Sequence, residues 1–206
     1  MANPTPHTHA GLIIWVSPTG DDLVGNGLQR HPYKTIERAL QDFTEGKQIR
    51  LLDGTYNPIG TIAIDGISGS IFAENPNDAT IQPTRATVDN ASVSIKNTER
   101  FSITGVNILQ PMDPTANYVG LYVNNVNNFL AYSCDVYTFD FSIDHIGYGI
   151  FASGGGRIEH CSAYNIIGGE IYGIKTVGIS VIECDVTALS GSSVVGIEPL
   201  DTYVIT

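Results

Sequence analysis

Charge is scarce in this chain, and positive charge is scarcest. Only 15% of its 206 residues are charged, and Lys and Arg total 10 against 21 Asp and Glu, a formal net charge of −11. A surface of that sign repels a phosphate backbone, so nucleic acid is excluded as a partner. Long apolar runs are also missing. None approaches the roughly 20 residues of a bilayer-spanning helix, and Met1 to Gly11 lacks the basic and apolar regions of a signal peptide, so no membrane role is expected. Cysteine is limited to Cys134, Cys161 and Cys184. An odd set without a close pair provides neither a disulfide framework nor a zinc or thioredoxin-like site. Helix formers thin out after Phe43, while 22 Gly, many Asn and many β-branched residues remain. With 42% hydrophobic residues, this composition points to an all-β body with a packed core and tight turns.

What is present in quantity is repetition. Val93-Ser94-Ile95, Val119-Gly120-Leu121, Tyr148-Gly149-Ile150, Tyr172-Gly173-Ile174 and Val195-Gly196-Ile197 recur with spacings of 26, 29, 24 and 23 residues. Each reads as the start of one coil. Aligning the strand that follows gives the columns Phe101, Phe129, Gly156, Ile179 and Ile103, Ala131, Ile158, Val181. Two further columns follow: Val106, Cys134, Cys161, Cys184 and Ile108, Val136, Ala163, Val186. Apolar residues two apart within each strand share a buried face, so the cysteines form a ladder of small core hydrophobes. A thiol ladder persists best in a reducing compartment. The longest coil carries an insertion from Tyr137 to Gly147, which puts Phe139 and Phe141 on an outer loop.

The first third reads as a cap. Trp15 to Asp22, Pro32 to Leu40 and Leu51 to Tyr56 follow one another as a strand, a Gly/Asn-rich loop, a short amphipathic helix and a further strand. Thr35 suits an N-cap, and Ile36, Ala39, Leu40 and Phe43 fall on one helical face. Ile62-Ala63-Ile64, Ile71 to Asn75 and Ile81-Gln82 then fit a first coil. In order and spacing these segments resemble the opening of pectate-lyase-like right-handed parallel β-helix proteins. The resemblance runs from Trp15 onward and implies an all-β, right-handed parallel β-helix with a short N-terminal capping helix. Residues 1–14 are then an extended arm and 15–206 a single domain, with 15–60 as cap and first coil and 61–206 as stacked coils. The superfamily includes polysaccharide lyases, hydrolases, epimerases and tailspike and other virion proteins, so the fold does not choose an activity.

Outward positions beside the cysteine ladder form the columns Gly105, Ser133, His160, Glu183 and Asn107, Asp135, Ser162, Asp185. If the protein is an enzyme, Asp135, His160, Glu183 and Asp185 are its catalytic candidates. Asp135 and Asp185 would stand about 10 Å apart, near the upper end of the separation used by inverting glycosidases. Turn residues that satisfy backbone groups explain the same pattern. The outward bases Lys96, Arg100, Arg157 and Lys175 flank no acidic trio, so the resemblance to lyases supplies no matching catalytic motif. Another outward column, Lys96, Tyr122, Phe151, Lys175, Glu198, sets two aromatics side by side, and with Phe139 and Phe141 it is the candidate contact surface. Burying two such rings stabilises an interface by roughly 3–6 kcal/mol before entropy losses. No metal site is expected: His7 and His9 belong to an extended polar arm. Calcium, at the Asp21-Asp22 turn, is the one cofactor left open.

Tyr203 and Ile205 align with the Phe101 and Ile103 columns, and no cap is visible, so either a neighbouring subunit or another protein is expected to cover the open sheet end, or the sequence is a piece of a longer chain. Taken together, the expectation is a non-enzymatic virion protein, a capsid decoration or tailspike-type component made in a host cytoplasm. It would form a homo-oligomer such as a trimer and contact other virion proteins. The alternative is an extracellular carbohydrate-active enzyme or polysaccharide-binding fragment.

Overall fold

The computed structural model describes residues 12–111, 118–140, 146–187, 189–200 and 204–205. His7, His9 and Phe141 lie outside them. The chain is a parallel β-solenoid of about five turns with one short helix. Its strands are β1 (Ile13–Val16), β2 (Lys47–Leu51), β3 (Gly54–Tyr56), β4 (Ile62–Asp65), β5 (Gly69–Ala73), β6 (Ala79–Ile81), β7 (Ala91–Thr104) and β8 (Val106–Leu109). They continue as β9 (Tyr118–Tyr132), β10 (Asp135–Asp140), β11 (Ile146–Glu159), β12 (Ser162–Ile182), β13 (Asp185–Thr187), β14 (Ser190–Leu200) and β15 (Val204–Ile205). The helix α1 (Ile36–Asp42) lies between β1 and β2.

Three faces wrap the core. Face A stacks β1, β2, β5 and the ends of β7, β9, β11 and β12. Face B stacks β3, β6, β8, β10, the start of β12 and β13. Face C stacks β4, the first parts of β7, β9 and β11, the middle of β12, and β14. Alternation explains which side faces in: in β4, Ile62 and Ile64 are buried while Ala63 and Asp65 are exposed. Corners are made by residues in the left-handed region. Gly105, Ser133, His160 and Glu183 have φ of 67°, 52°, 52° and 47°, one per rung between faces A and B. Asn97 and Asn125, at 53° and 56°, turn the chain between faces C and A.

The thiol ladder is present. Cys134 and Cys161 are fully buried, whereas Cys184, on the last described rung, is only partly covered, so the line of sulfurs is not dry throughout. The glycines of the coil-start motif have a packing cause. A Cβ on Gly149 would sit 2.9 Å from the Ala163 Cβ of face B, and one on Gly173 would sit 2.3 Å from a Val186 methyl. The two faces approach too closely there for any side chain.

At the N-terminal end Thr35 caps α1, its hydroxyl accepting from the Arg38 N–H, and Ile36, Ala39 and Phe43 enter the core. Asp22 ties the preceding loop to this cap, accepting from the Lys34 and Thr35 N–H groups and the Thr35 hydroxyl. Asp21 accepts from the Leu23 and Val24 N–H groups, which hold its carboxyl below the usual range. Both acids thus organise backbone.

Two expected alignments and one expected loop placement are corrected. Val93 pairs with Leu121, not Val119, so Ser94 and not Lys96 stands beside Tyr122. Such a two-residue slip keeps every side chain on the same face and is invisible to a period-two pattern. Val204, not Ile205, pairs with Val181, and Ile205 pairs with Ile182. Tyr203 lies outside the described residues. Phe139 is not in a loop: β10 runs on through the strand-favouring Tyr-Thr-Phe sequence, and Phe139 pairs with Ile166. At the other end, Ile13 and Ile14 pair with Gln48 and Ile49 of β2.

Candidate functional site

Face B carries two outward columns side by side. In the first, Asn107, Asp135, Ser162 and Asp185 occupy successive rungs in direct register. In the second, two residues along each strand, are Leu109, Tyr137, Tyr164 and Thr187. Tyr137 lies flat on Tyr164, with ring centroids 4.9 Å apart and planes 3° from parallel. The strip is graded in exposure: Asn107 is buried, Asp135, Tyr137, Ser162 and Tyr164 are half-buried, and Asp185 and Thr187 are exposed.

Burial raises the Asp135 carboxyl above its ordinary value, against an opposing hydrogen bond from Ser162. The Tyr164 hydroxyl is raised too, first by burial and then by the charges of Asp135 and Tyr137. Asn107 donates its amide N–H to the Asn77 carbonyl at 2.7 Å, while its Oδ1, closed to solvent, has no partner among the described residues.

The other two catalytic candidates sit on the corner before this strip. His160 Nδ1 lies 3.2 Å from Glu183 Oε2, and the imidazole meets Tyr132 edge to face at 5.3 Å. Both side chains are well exposed. The structure therefore pairs His160 with Glu183 and aligns Asp135 with Asp185, and the left-handed corner separates the two pairs.

Face C carries the aromatic patch. Tyr122 stacks on Phe151 at 5.4 Å and 10°, and Lys175 follows on the next rung. The patch is larger than the sequence indicated. Tyr148 and Tyr172, read only as coil starts, stack on each other at 4.9 Å, Tyr148 meeting Phe151 edge to face at 5.7 Å. Beside them Gly149 and Ile150, consecutive in β11, both lie against the core. Lys175 lies 4.3 Å above the Tyr172 ring and 2.7 Å from Glu198. Tyr172 donates its hydroxyl to Glu170, which raises it to about 12.

The outward bases are largely committed: Lys96 pairs with Asp89 at 2.9 Å, Arg157 with Glu159 at 3.0 Å and Lys175 with Glu198. A groove of about 550 Å³ opens on face A between Lys47, Ser68, Arg100 and Asn128. It is remote in register from the face B strip, and its own charges are largely spent. Glu45 accepts from the Ser68 N–H, Glu99 from Asn127, and Lys47 donates to the Asp42 carbonyl. Among the described residues no cluster of three His, Cys, Asp or Glu side chains is placed to hold a metal.

In fold, the chain resembles the pectin methylesterases. The deglycosylated enzyme of Aspergillus niger superposes with a TM-score of 0.50 at 13% identity, over 93% of this chain and 85% of that one. The enzyme PemA of Erwinia chrysanthemi gives 0.49 at 13% identity over 82% of this chain and 54% of its own, so this chain spans about half its length. The carrot enzyme gives 0.47 at 12%, covering 100% and 90%. These neighbours are right-handed parallel β-helix proteins of the pectate-lyase-like superfamily, and at such identities the likeness is one of fold. No protein-family model matches the sequence, and no curated protein is detectably similar to it. None of the three enzymes is a virion protein, so the virion expectation gains nothing from them.

Sequence reasoning missed Tyr164 as the partner of Tyr137, although both follow the same Cys-acid/Ser-apolar triplet, Cys134-Asp135-Val136 and Cys161-Ser162-Ala163. It also missed Asn107 Oδ1, whose isolation depends on packing and leaves no mark in the sequence.

Proposed function

We propose that this is a carbohydrate-active β-helix protein that holds a polysaccharide against face B. One juxtaposition carries the reading: the parallel rings of Tyr137 and Tyr164 stand beside the hydrogen-bonding column of Asp135, Ser162 and Asp185. A sugar presents apolar C–H patches and a rim of hydroxyls, and a site for it pairs aromatic surface with a few fixed polar groups. The strip offers both, at a spacing of about 7 Å along the strands. That the structural neighbours are named for their action on pectin fits this ligand class. The test is binding of the intact chain to neutral and acidic polysaccharides by affinity electrophoresis. Binding that weakens at least tenfold in Tyr137→Ala/Tyr164→Ala supports the proposal, and failure to retain on any glycan ends it.

The face C patch supports a second reading, contact with another protein chain. Four aromatic rings and an ion pair lie together there, and a second copy is the partner to test first. Light scattering of wild type and Phe151→Ala checks it: a wild-type oligomer that the variant dissolves supports the interface, and a wild-type monomer removes it.

A further inference from the structure

We infer that Cys161 and Cys184 form a site of oxidative modification, taking a peroxide as oxidant and closing a disulfide between two adjacent rungs. The inference is independent of any glycan on face B.

The register supplies the geometry. Ser162 pairs with Asp185 and Ala163 with Val186, so Cys161 and Cys184, which precede them, stand on neighbouring rungs of one column. In-register residues of neighbouring parallel strands lie about 4.8 Å apart, inside the roughly 4.4–6.8 Å between Cα atoms that a disulfide spans. Cys161 belongs to the core and Cys184 packs against it, so both sulfurs lie on the inner side of the sheet. Cys184 Sγ lies 3.5 Å from the carbonyl oxygen of Ile158, which is on the rung of Cys161, and 3.3 Å from that of Ile182. It therefore leans back toward the preceding rung, and the two thiols are hydrogen-bonded to each other.

Access separates their roles. Cys134 and Cys161 are fully buried, whereas Cys184 is only partly covered, so an oxidant arriving from solvent meets Cys184 first. The hydrogen bond from Cys161 also holds the Cys184 thiol below its ordinary value, against burial and the charge of Asp185. Cys134 stands two rungs from Cys184, about 9.6 Å, which is beyond the span of a disulfide. Of the three cysteines, Cys161 is thus the one that can resolve an oxidised Cys184. An accessible thiol with a second thiol directly behind it is the arrangement that captures a sulfenic acid before further oxidation.

The step balances with one peroxide. The Cys184 thiolate attacks a peroxide oxygen: the S–O bond forms, the O–O bond breaks, and the departing hydroxide takes up the proton that Cys184 released. Cys184 is then a sulfenic acid. Cys161 attacks its sulfur, the S–S bond forms as the S–O bond breaks, and the departing hydroxide takes the Cys161 proton as water. Two thiols have given two electrons to one hydrogen peroxide, and the products are one disulfide and two waters. The bond joins the residue before β12 to the residue before β13, and a thiol reductant reverses it.

The experiment treats the reduced, folded full chain with hydrogen peroxide, alkylates the remaining thiols in denaturant without reductant, and maps the peptides by mass. Expected are the loss of two thiols, a linked Cys161–Cys184 peptide, and Cys134 recovered in alkylated form. Cys134→Ser should form the bond at a rate within about twofold of wild type, and Cys184→Ser should lose thiols at least about tenfold more slowly. Cys161→Ser should instead accumulate a Cys184 sulfenic acid that dimedone traps. A bond between Cys134 and Cys161, a dimer joined through Cys184, or a Cys184 sulfinic acid beside a free Cys161 would each overturn the pairing. Three intact thiols after peroxide would overturn it too. Cys184 is half-exposed, so Cys184→Ser remains informative if the buried Cys161→Ser change fails to fold.

Discussion

Cys134 donates its backbone N–H to the sulfur of Cys161, 3.4 Å away on the next rung. The contact fixes the ladder's register and commits both thiols to the interior, where the Cys161 thiol is held well above its ordinary value by its hydrogen bonds with Cys134 and Cys184 and by burial. Cys184 is half-covered. The expected outcome with a thiol reagent is therefore one fast equivalent in the native protein, at Cys184, and two more only on unfolding. Cys184→Ser should abolish the fast phase. Two or three fast equivalents in the native chain would contradict the inward placement of the ladder.

Much of this was legible in the sequence, for a definable reason. The columns through Cys134, Val136, Phe101 and Ile103 alternate apolar and polar residues, so inside and outside could be told apart without coordinates. Where contrast failed, register failed. Ala91, Val93 and Ile95 are all apolar and face one way, so a shift of two residues changed nothing visible. Tyr203 to Ile205 has no polar member to mark the outside. The carboxylate column on face B was legible because it follows the cysteines rigidly, but its tyrosine stack and the orphaned Asn107 oxygen emerge only from packing.

The cap offers a test of local chemistry. Thr35 accepts from the Arg38 N–H at 3.2 Å and itself donates to Asp22 at 2.8 Å. Thr35→Ala should cost about 1 kcal/mol in urea unfolding. Asp22→Ala removes the acceptor of three donors and should cost more, about 2 kcal/mol, with Asp22→Asn intermediate. Equal stability of all three variants would show that the loop does not depend on this clamp.

The corner between faces C and A carries a short side-chain ladder. Asn97 donates to Asp65 at 2.8 Å and Asn125 donates to Asn97 at 2.9 Å, both asparagines with left-handed backbone. An L-residue with an ordinary side chain pays about 1–2 kcal/mol for that conformation, and asparagine less. Asn125→Ala should therefore destabilise by about 1 kcal/mol, whereas Asn125→Gly, which loses the ladder bond but relaxes the backbone, should be the milder change. The reverse order in thermal melts would place the weight on the side-chain bond.

Asp135 makes a prediction about pH that is independent of any ligand. Its folded value lies above the ordinary 3.8 because of burial, so the folded chain binds this proton more tightly than the unfolded one. The stability it contributes is complete below about 3.8 and is lost as pH rises through the folded value. Asp42 and Asp89 work the opposite way. Their carboxyls are lowered, Asp42 by Tyr33, Arg38 and Lys47 and Asp89 by Ser94 and Lys96, in each case against burial, so their contributions are lost as pH falls. Subtraction isolates Asp135: the groups facing it are Asn107, Ser162, Tyr137, Tyr164 and, two rungs off, Asp185, and all are shared with Asp135→Asn. The variant keeps the shape and cannot titrate. From about pH 3 to about pH 8, wild-type stability minus that of Asp135→Asn should fall as pH rises, measured by urea unfolding. A difference that stays flat, or rises with pH, would mean that this carboxyl holds its proton no more tightly than an ordinary aspartate.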